Sequence, residues 1–302
     1  MNFDKEAKEH LKKYKLNNPE IRAYMPGISK LNEMTHEFIT SDHILPIPSF
    51  NPRVAIKPNL LTGYREQFLK SKLSRIKYHE KAHHLNSSQI MCINFFFPFW
   101  FERKLEIVLK TLGLPISSDE QIDYNRVCFE KKSTLDYCKR TDTATSFDFF
   151  IPITAKKEAR ERSVYFEIKY CEKTFGIKEI NENSIKLYDR IYRGHAERVL
   201  SPILHHPEAF LSNYQIARNL IHIDADNNDY VVLIYPSLNE DIANQCSKVR
   251  GSYLKECNVD YLIVETWEYL FDNILSNIGQ NEALIAQMDA FYQKYLNIPM
   301  IL

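Results

Sequence analysis

The chain predicts an α/β fold, a central mixed sheet flanked by helices, on three observations. Two aromatic and β-branched runs, Phe147 to Ile153 and Val164 to Tyr170, are joined by ten mostly polar residues and read as a hairpin. Arg126 to Lys132 reads as a strand before it. A helical repeat from Pro207 through Ile221 precedes a buried-type strand, Tyr230 to Tyr235, closed by Pro236. The resulting order, helix, three strands, helix, strand, builds a layered α/β domain.

The elements follow in chain order. Residues 4 to 15 form a short polar helix, with Pro19 soon after. Five prolines (26, 46, 48, 52, 58) argue against long regular elements up to residue 58, so 1–58 is expected to be a helix and a proline-rich arm, and 59–302 the main domain. Leu61 to Ala82 is helical in character and strongly basic. Asn86 to Gln89 (N-S-S-Q) can cap the apolar stretch that continues through Leu112. Glu172 to Pro207 is mixed and polar, with positive charge around Arg190, Arg193 and Arg198. Beyond the Tyr230 strand come a helix over Asp241 to Cys257, a short strand over Tyr261 to Val264 and a helix over Trp267 to Leu275.

Composition bounds the function. The 302 residues are 44% apolar, enough for a core. The longest apolar run, Ile90 to Phe101, is broken by Asn94 and Pro98 and is too short to span a bilayer. No apolar leader is legible at the N-terminus, so a cytoplasmic protein is expected. Six cysteines without C-x-x-C spacing argue against a zinc ribbon and read as reduced thiols. With only seven glycines, none close to another, a phosphate-cradling loop is excluded, and a serine nucleophile elbow is disfavoured. Net charge is zero but uneven. Asn51 to Leu85 carries eight Lys or Arg against two Glu, and Ser201 to the end carries thirteen acids against five bases. A basic N-terminal part suits a polyanion, or a solvated helical face.

The hairpin carries the chemistry. Antiparallel pairing centred near Glu158 sets Asp148 opposite Glu167 or Ile168, so two carboxylates can meet across neighbouring strands. Lys169, two residues after Glu167, shares their face, while Phe166, Ile168 and Tyr170 turn to the other side. Two carboxylates and a lysine on one face are costly to desolvate without a partner, and a hard divalent cation is the natural one. The competing reading is a half-buried salt bridge. Four E-x-K triplets occur, at Glu6, Glu102, Glu130 and Glu167, but only Glu167 lies in an apolar strand with an aspartate at pairing distance.

T-S-F-D-F-F at 145–150 and F-E-I-K-Y-C-E-K-T-F-G at 166–176, with H-L-N-S-S-Q upstream and Y-Q-I-A-R-N-L downstream, resemble the PD-(D/E)XK nuclease superfamily. More narrowly they resemble restriction-endonuclease-like bacterial proteins, over roughly residues 55 to 275. Phe147 stands where the superfamily name has proline. The resemblance implies a restriction-endonuclease-like core and Mg²⁺ (or Mn²⁺) bound by Asp148, Glu167 and the carbonyl of Ile168. Lys169 would orient the attacking water. Gln215 and Arg218, three apart on one helical face, would approach the scissile phosphate, and Gln89 would reach the site from the first helix unless it serves the helix cap. Glu130 and Glu172 read as surface charge or outer metal ligands. The implied function is a metal-dependent phosphodiester hydrolase acting on DNA in bacterial defence. The basic charge of the 61–82 stretch, by itself, makes Arg75, Lys77, Lys81 and His83 candidates for nucleic-acid contact on a phosphate-contacting helix. A homodimer would let two sites cut both strands. The alternative is a nucleic-acid-binding protein of the same fold without hydrolysis.

One rival motif remains. His79, Glu80 and His83 spell H-E-K-A-H, the pattern in which two histidines one helical turn apart bind Zn²⁺ and the glutamate acts as base. Lys81 beside the metal and the lack of an obvious third ligand weigh against it.

Overall fold

The structure, a computed structural model, describes residues 2–31, 38–46, 52–137, 144–156 and 160–299. It comprises two compact units, Met1–Val108 with Trp267–Leu302, and Leu109–Thr266. Residue 58 falls inside the first of them.

The first unit is mainly helical. Helix Phe3–Asn17, capped by the Asn2 side chain, buries Phe3, Ala7, His10, Leu11 and Lys15. His10 Nε2 lies 3.0 Å from Gln293 O and 3.2 Å from Lys294 O, tying this helix to helix Glu282–Tyr295, which the sequence pattern did not reveal. Between prolines, strands β1 (Gly27–Leu31) and β2 (Phe38–Ser41) pair antiparallel. A Cβ on Gly27 would stand 2.5 Å from Ile44 Cγ2, so the close approach requires glycine.

Helix Ser88–Phe101 is buried from Gln89 through Phe99, with Ser87 as its cap. Its internal Asn94 is satisfied: Oδ1 accepts from Leu61 N at 2.9 Å and Nδ2 donates to the Tyr295 hydroxyl at 2.9 Å. Phe95 packs on Trp267 and Phe291 with ring centroids 5.0 and 5.2 Å apart.

The expected basic helix over 61–82 is corrected. Only Arg65–Lys70 is α-helical, followed by a single 3₁₀ turn, Lys72–Ser74, and irregular chain. Serine hydroxyls compete with the helical ladder: Ser71 Oγ donates to Phe68 O at 2.8 Å and Ser74 Oγ to Ser71 O at 2.9 Å.

The second unit is a mixed six-stranded sheet with helices packed on it, the α/β class expected. Strands β3 (Glu120–Ile122) and β4 (Cys128–Lys132) both pair antiparallel with β5 (Ser146–Ala155), β4 along its first half and β3 along its last residues. β5 pairs antiparallel with β6 (Glu161–Ile168). β7 (Tyr230–Tyr235) and β8 (Leu262–Thr266) then extend the sheet in parallel. The short β3 was not legible in the sequence.

Helical segments between β6 and β7, and helix Glu240–Lys248 after β7, bury Tyr188, Phe210, Leu220 and Ile242 against Val231 and Leu233 of β7 and Leu262 and Val264 of β8. The helix expected from Pro207 to Ile221 is two, Pro207–Ser212 and Tyr214–Leu220. Asn213 breaks it: its Nδ2 donates to Ala209 O at 2.9 Å while its Oδ1 accepts from the Tyr253 hydroxyl at 2.8 Å.

Candidate functional site

The site is built at the end of the β5–β6 hairpin. Phe149 pairs with Phe166, and one step further along that register Asp148 comes beside Glu167. Ile168 N donates to Asp148 Oδ2 at 2.7 Å, fastening the carboxylate to the last residue of β6. Strand alternation sends Phe149, Phe166 and Ile168 into the core and leaves Glu167 and Lys169 together on the opposite face. The Ile168 side chain is a buried hydrocarbon, and its backbone carbonyl is the one oxygen the residue has.

Glu167 and Lys169 are themselves nearly buried, 3% and 6% exposed, and their charges are satisfied locally. Lys169 Nζ donates to Glu167 Oε1 at 2.8 Å. Gln215 Nε2 donates to the same oxygen at 2.7 Å. Gln215 Oε1 accepts from Lys169 Nζ at 3.2 Å and from Gly176 N at 3.0 Å, and Gln215 N donates to Gly176 O at 2.9 Å. Thus the loop after β6 and helix Tyr214–Leu220 jointly fix the amide between the acid and the base. Lys169 also faces the Phe175 ring at 5.2 Å.

The electrostatics are lopsided. Burial first, then the negative charges of Glu167 and Glu130, hold the Asp148 carboxyl well above the usual range. Burial works against the Lys169 ammonium, yet Glu167 and Glu172 outweigh it and raise its pKa. Glu172 Oε2 also accepts from Tyr170 N at 2.6 Å, turning the chain after β6. Glu130, whose register position on β4 faces Asp148, has φ of 52° and accepts from Ser146 Oγ at 2.9 Å. Left-handed backbone at a glutamate is uncommon and locally costly. Glu167, Glu172 and Asp148 thus surround one ammonium with negative charge.

Arg218 shares the helix of Gln215 but is committed elsewhere. Its Nε and Nη2 lie 3.0 and 2.9 Å from Asp136 Oδ2, and its guanidinium stacks 4.8 Å from the Tyr214 ring. Asp136, 1% exposed, also accepts from Thr145 N at 2.9 Å and Thr145 Oγ1 at 2.7 Å. Burial opposes its charge, but Arg218 and Thr145 keep the carboxyl below the usual range. One turn on, His222 Nδ1 lies 2.8 Å from Arg218 O and Nε2 2.6 Å from Ser133 Oγ, and burial pushes its pKa down to about 4. Sequence reading missed Asp136, Ser133 and His222, since a lone polar residue in a loop carries no periodic signal, and it gave Thr145 no role beyond its place in T-S-F-D-F-F.

The remaining candidates belong to the first unit. Gln89 is 4% exposed; its Oε1 accepts from His79 N at 3.0 Å and its Nε2 donates to Lys77 O at 3.2 Å, pinning that backbone. Arg75, Lys77 and Lys81 are exposed on irregular chain. His83 is buried, with its ring 4.5 Å from that of His84, and burial lowers its pKa. The zinc reading is corrected: Glu80 to His83 is a turn, not a helix, so the helical face on which the motif carries its two imidazoles is missing. Among the described residues no three His, Cys, Asp or Glu side chains form a metal-holding group.

A mixed sheet whose central hairpin brings an aspartate against an E-x-K strand defines a restriction-endonuclease-like protein. The chain belongs to the family described as Restriction Endonuclease associating with ARP, which matches residues 10–296. No curated protein and no solved structure matches it. Among the described residues no helix is long and apolar enough to cross a membrane.

Proposed function

We propose that the second unit hydrolyses phosphodiester bonds of DNA with a divalent cation, Mg²⁺ or Mn²⁺. The observation that carries this reading is Asp148 fastened beside Glu167 with Lys169 on the same face. Asp148, Glu167 and the Ile168 carbonyl would hold the cation, which when bound would supply Lewis-acid polarisation of a phosphoryl oxygen and a more acidic water. Lys169 orients that water and offsets charge building on the phosphate once its ammonium leaves Glu167. Gln215 keeps Glu167 aligned through this exchange. Membership of the family supports a nuclease and an interaction with nucleic acid.

The test is cleavage of plasmid and single-stranded DNA with Mg²⁺, Mn²⁺ or chelator, by the native chain, Asp148→Ala and Lys169→Ala. Metal-dependent products lost in both variants, with folding and DNA binding retained, are the expected result. Equal cutting by the variants sinks the assignment. The closed Lys169–Glu167 pair, at 2.8 Å, also favours a second reading, a DNA-binding protein in which that pair is a structural salt bridge. That protein would show salt-dependent DNA affinity and no products.

A further inference from the structure

We propose that the first unit binds a small organic anion bearing phosphate or carboxylate groups, in a cavity of about 600 Å³ between helices Phe3–Asn17 and Glu282–Tyr295. The volume lies within the range of small-molecule sites, and every lining residue belongs to the first unit. Both helices turn polar stripes toward it. His10, Lys13, Tyr14 and Asn17 follow the spacing of one helical face, and Gln293 and Lys294, with Asn297 just past the helix end, line the other side. Facing helices ordinarily bury apolar stripes against each other. With Leu60, Leu61 and Pro58 also on its wall, the cavity offers polar groups beside apolar surface, which suits an organic guest with a charged end.

Charge decides which guest. Lys13, Arg65 and Lys294 line the cavity against one carboxylate, Glu20, which is already bound to Arg65 at 2.8 Å. Lys294 is 1% exposed, and its Nζ donates to Asn59 O at 2.5 Å and Asn59 Oδ1 at 2.7 Å, both neutral acceptors. Among the described residues it has no carboxylate within ion-pair distance. Burial holds the Lys294 amine well below its ordinary pKa, and an anion bound beside it would favour the protonated form. Lys13, exposed and without an ion pair among the described residues, is the cation best placed to meet an entering ligand.

Calorimetric titration of the full chain with inorganic phosphate, ADP and citrate, without DNA or divalent metal, tests this independently of any cleavage. At least one probe is expected to bind saturably, with Lys13→Ala and Arg65→Gln each weakening it about tenfold, the loss of one charge-assisted contact. ADP or phosphate as the better probe would identify a phosphorylated ligand, citrate a carboxylate. No saturable binding of any probe at millimolar concentration overturns the proposal, as does binding undiminished in both variants. Both are surface or part-exposed positions, so the outcome does not depend on a variant of buried Lys294.

Discussion

Gln215 holds both members of an ion pair at once: its Nε2 donates to Glu167 Oε1 at 2.7 Å, and its Oε1 accepts from Lys169 Nζ at 3.2 Å. An amide donates to the acid and accepts from the base through two separate atoms, so one side chain can span both. Gln215→Leu removes both bonds. Cleavage is expected to fall roughly 10 to 100-fold, as for other partners that orient metal ligands, with stability changed by about 1 to 3 kcal/mol. Gln215→Glu, which sets a third carboxylate against Glu167, should be worse on both counts. Initial cleavage rates and urea midpoints check this.

Asp148→Asn separates function from stability. The native carboxyl is buried beside Glu167 and Glu130, and its raised pKa means that ionising it at neutral pH costs folding energy. The amide keeps an oxygen for Ile168 N and drops the repelled charge. The variant is expected to melt higher than the native chain and to cut no DNA. Mg²⁺ should raise the native melting temperature and leave that of Asp148→Asn unchanged. A lower melting temperature for the variant would count against an electrostatically strained site.

Arg218→Met leaves Asp136 ionised, buried and deprived of its cation. The expected loss is about 3 to 5 kcal/mol, read as a shift in the urea midpoint. Replacing both partners, Arg218→Met with Asp136→Leu, should recover part of it, because the penalty lies mainly in the unpaired charge. Equal losses in the single and double variants would show that packing of Arg218 on Tyr214 dominates instead.

His222 sets a pH limit on the second unit. Its folded pKa of about 4 lies below the ordinary 6.5, so the unfolded chain takes up the proton first. The stabilisation is fully present above pH 6.5 and is lost as pH falls toward about 4, amounting to about 3 kcal/mol. His43 is also held near 4 by burial, so the measurement is a difference. Melting curves of the native chain and His222→Gln should converge as pH falls through this window.

The hairpin was legible because its signals are local. Alternation along β5 and β6 assigns Asp148, Glu167 and Lys169 to their faces, and the polar connection sets a register that places Asp148 at Glu167. Gln215 was legible for a weaker reason, a helix beginning after Pro207, although the break at Asn213 was not. Arg218 was read toward phosphate because its partner, Asp136, sits in a loop whose position no periodicity encodes. The basic stretch before residue 82 has helical composition, yet its serines turn their hydroxyls onto the backbone and end the helix at Lys70. Gln89 was expected at the site from its place at a helix start, but that place also allows it to bind the chain ahead, at Lys77 and His79.

The Asp136–Arg218 pair has a bearing on how the site fails as well as how it stands. Asp148 and Glu167 meet through a hairpin only tens of residues long, whereas Gln215 arrives on a seven-residue helix anchored by Arg218 across 82 positions of sequence. So short a helix has little stability of its own and depends on its docking. Partial opening would release Gln215 while the sheet and both carboxylates persist, so warming should silence the site before the domain melts. The buried ion pair is in that sense a thermostat for the amide one turn away.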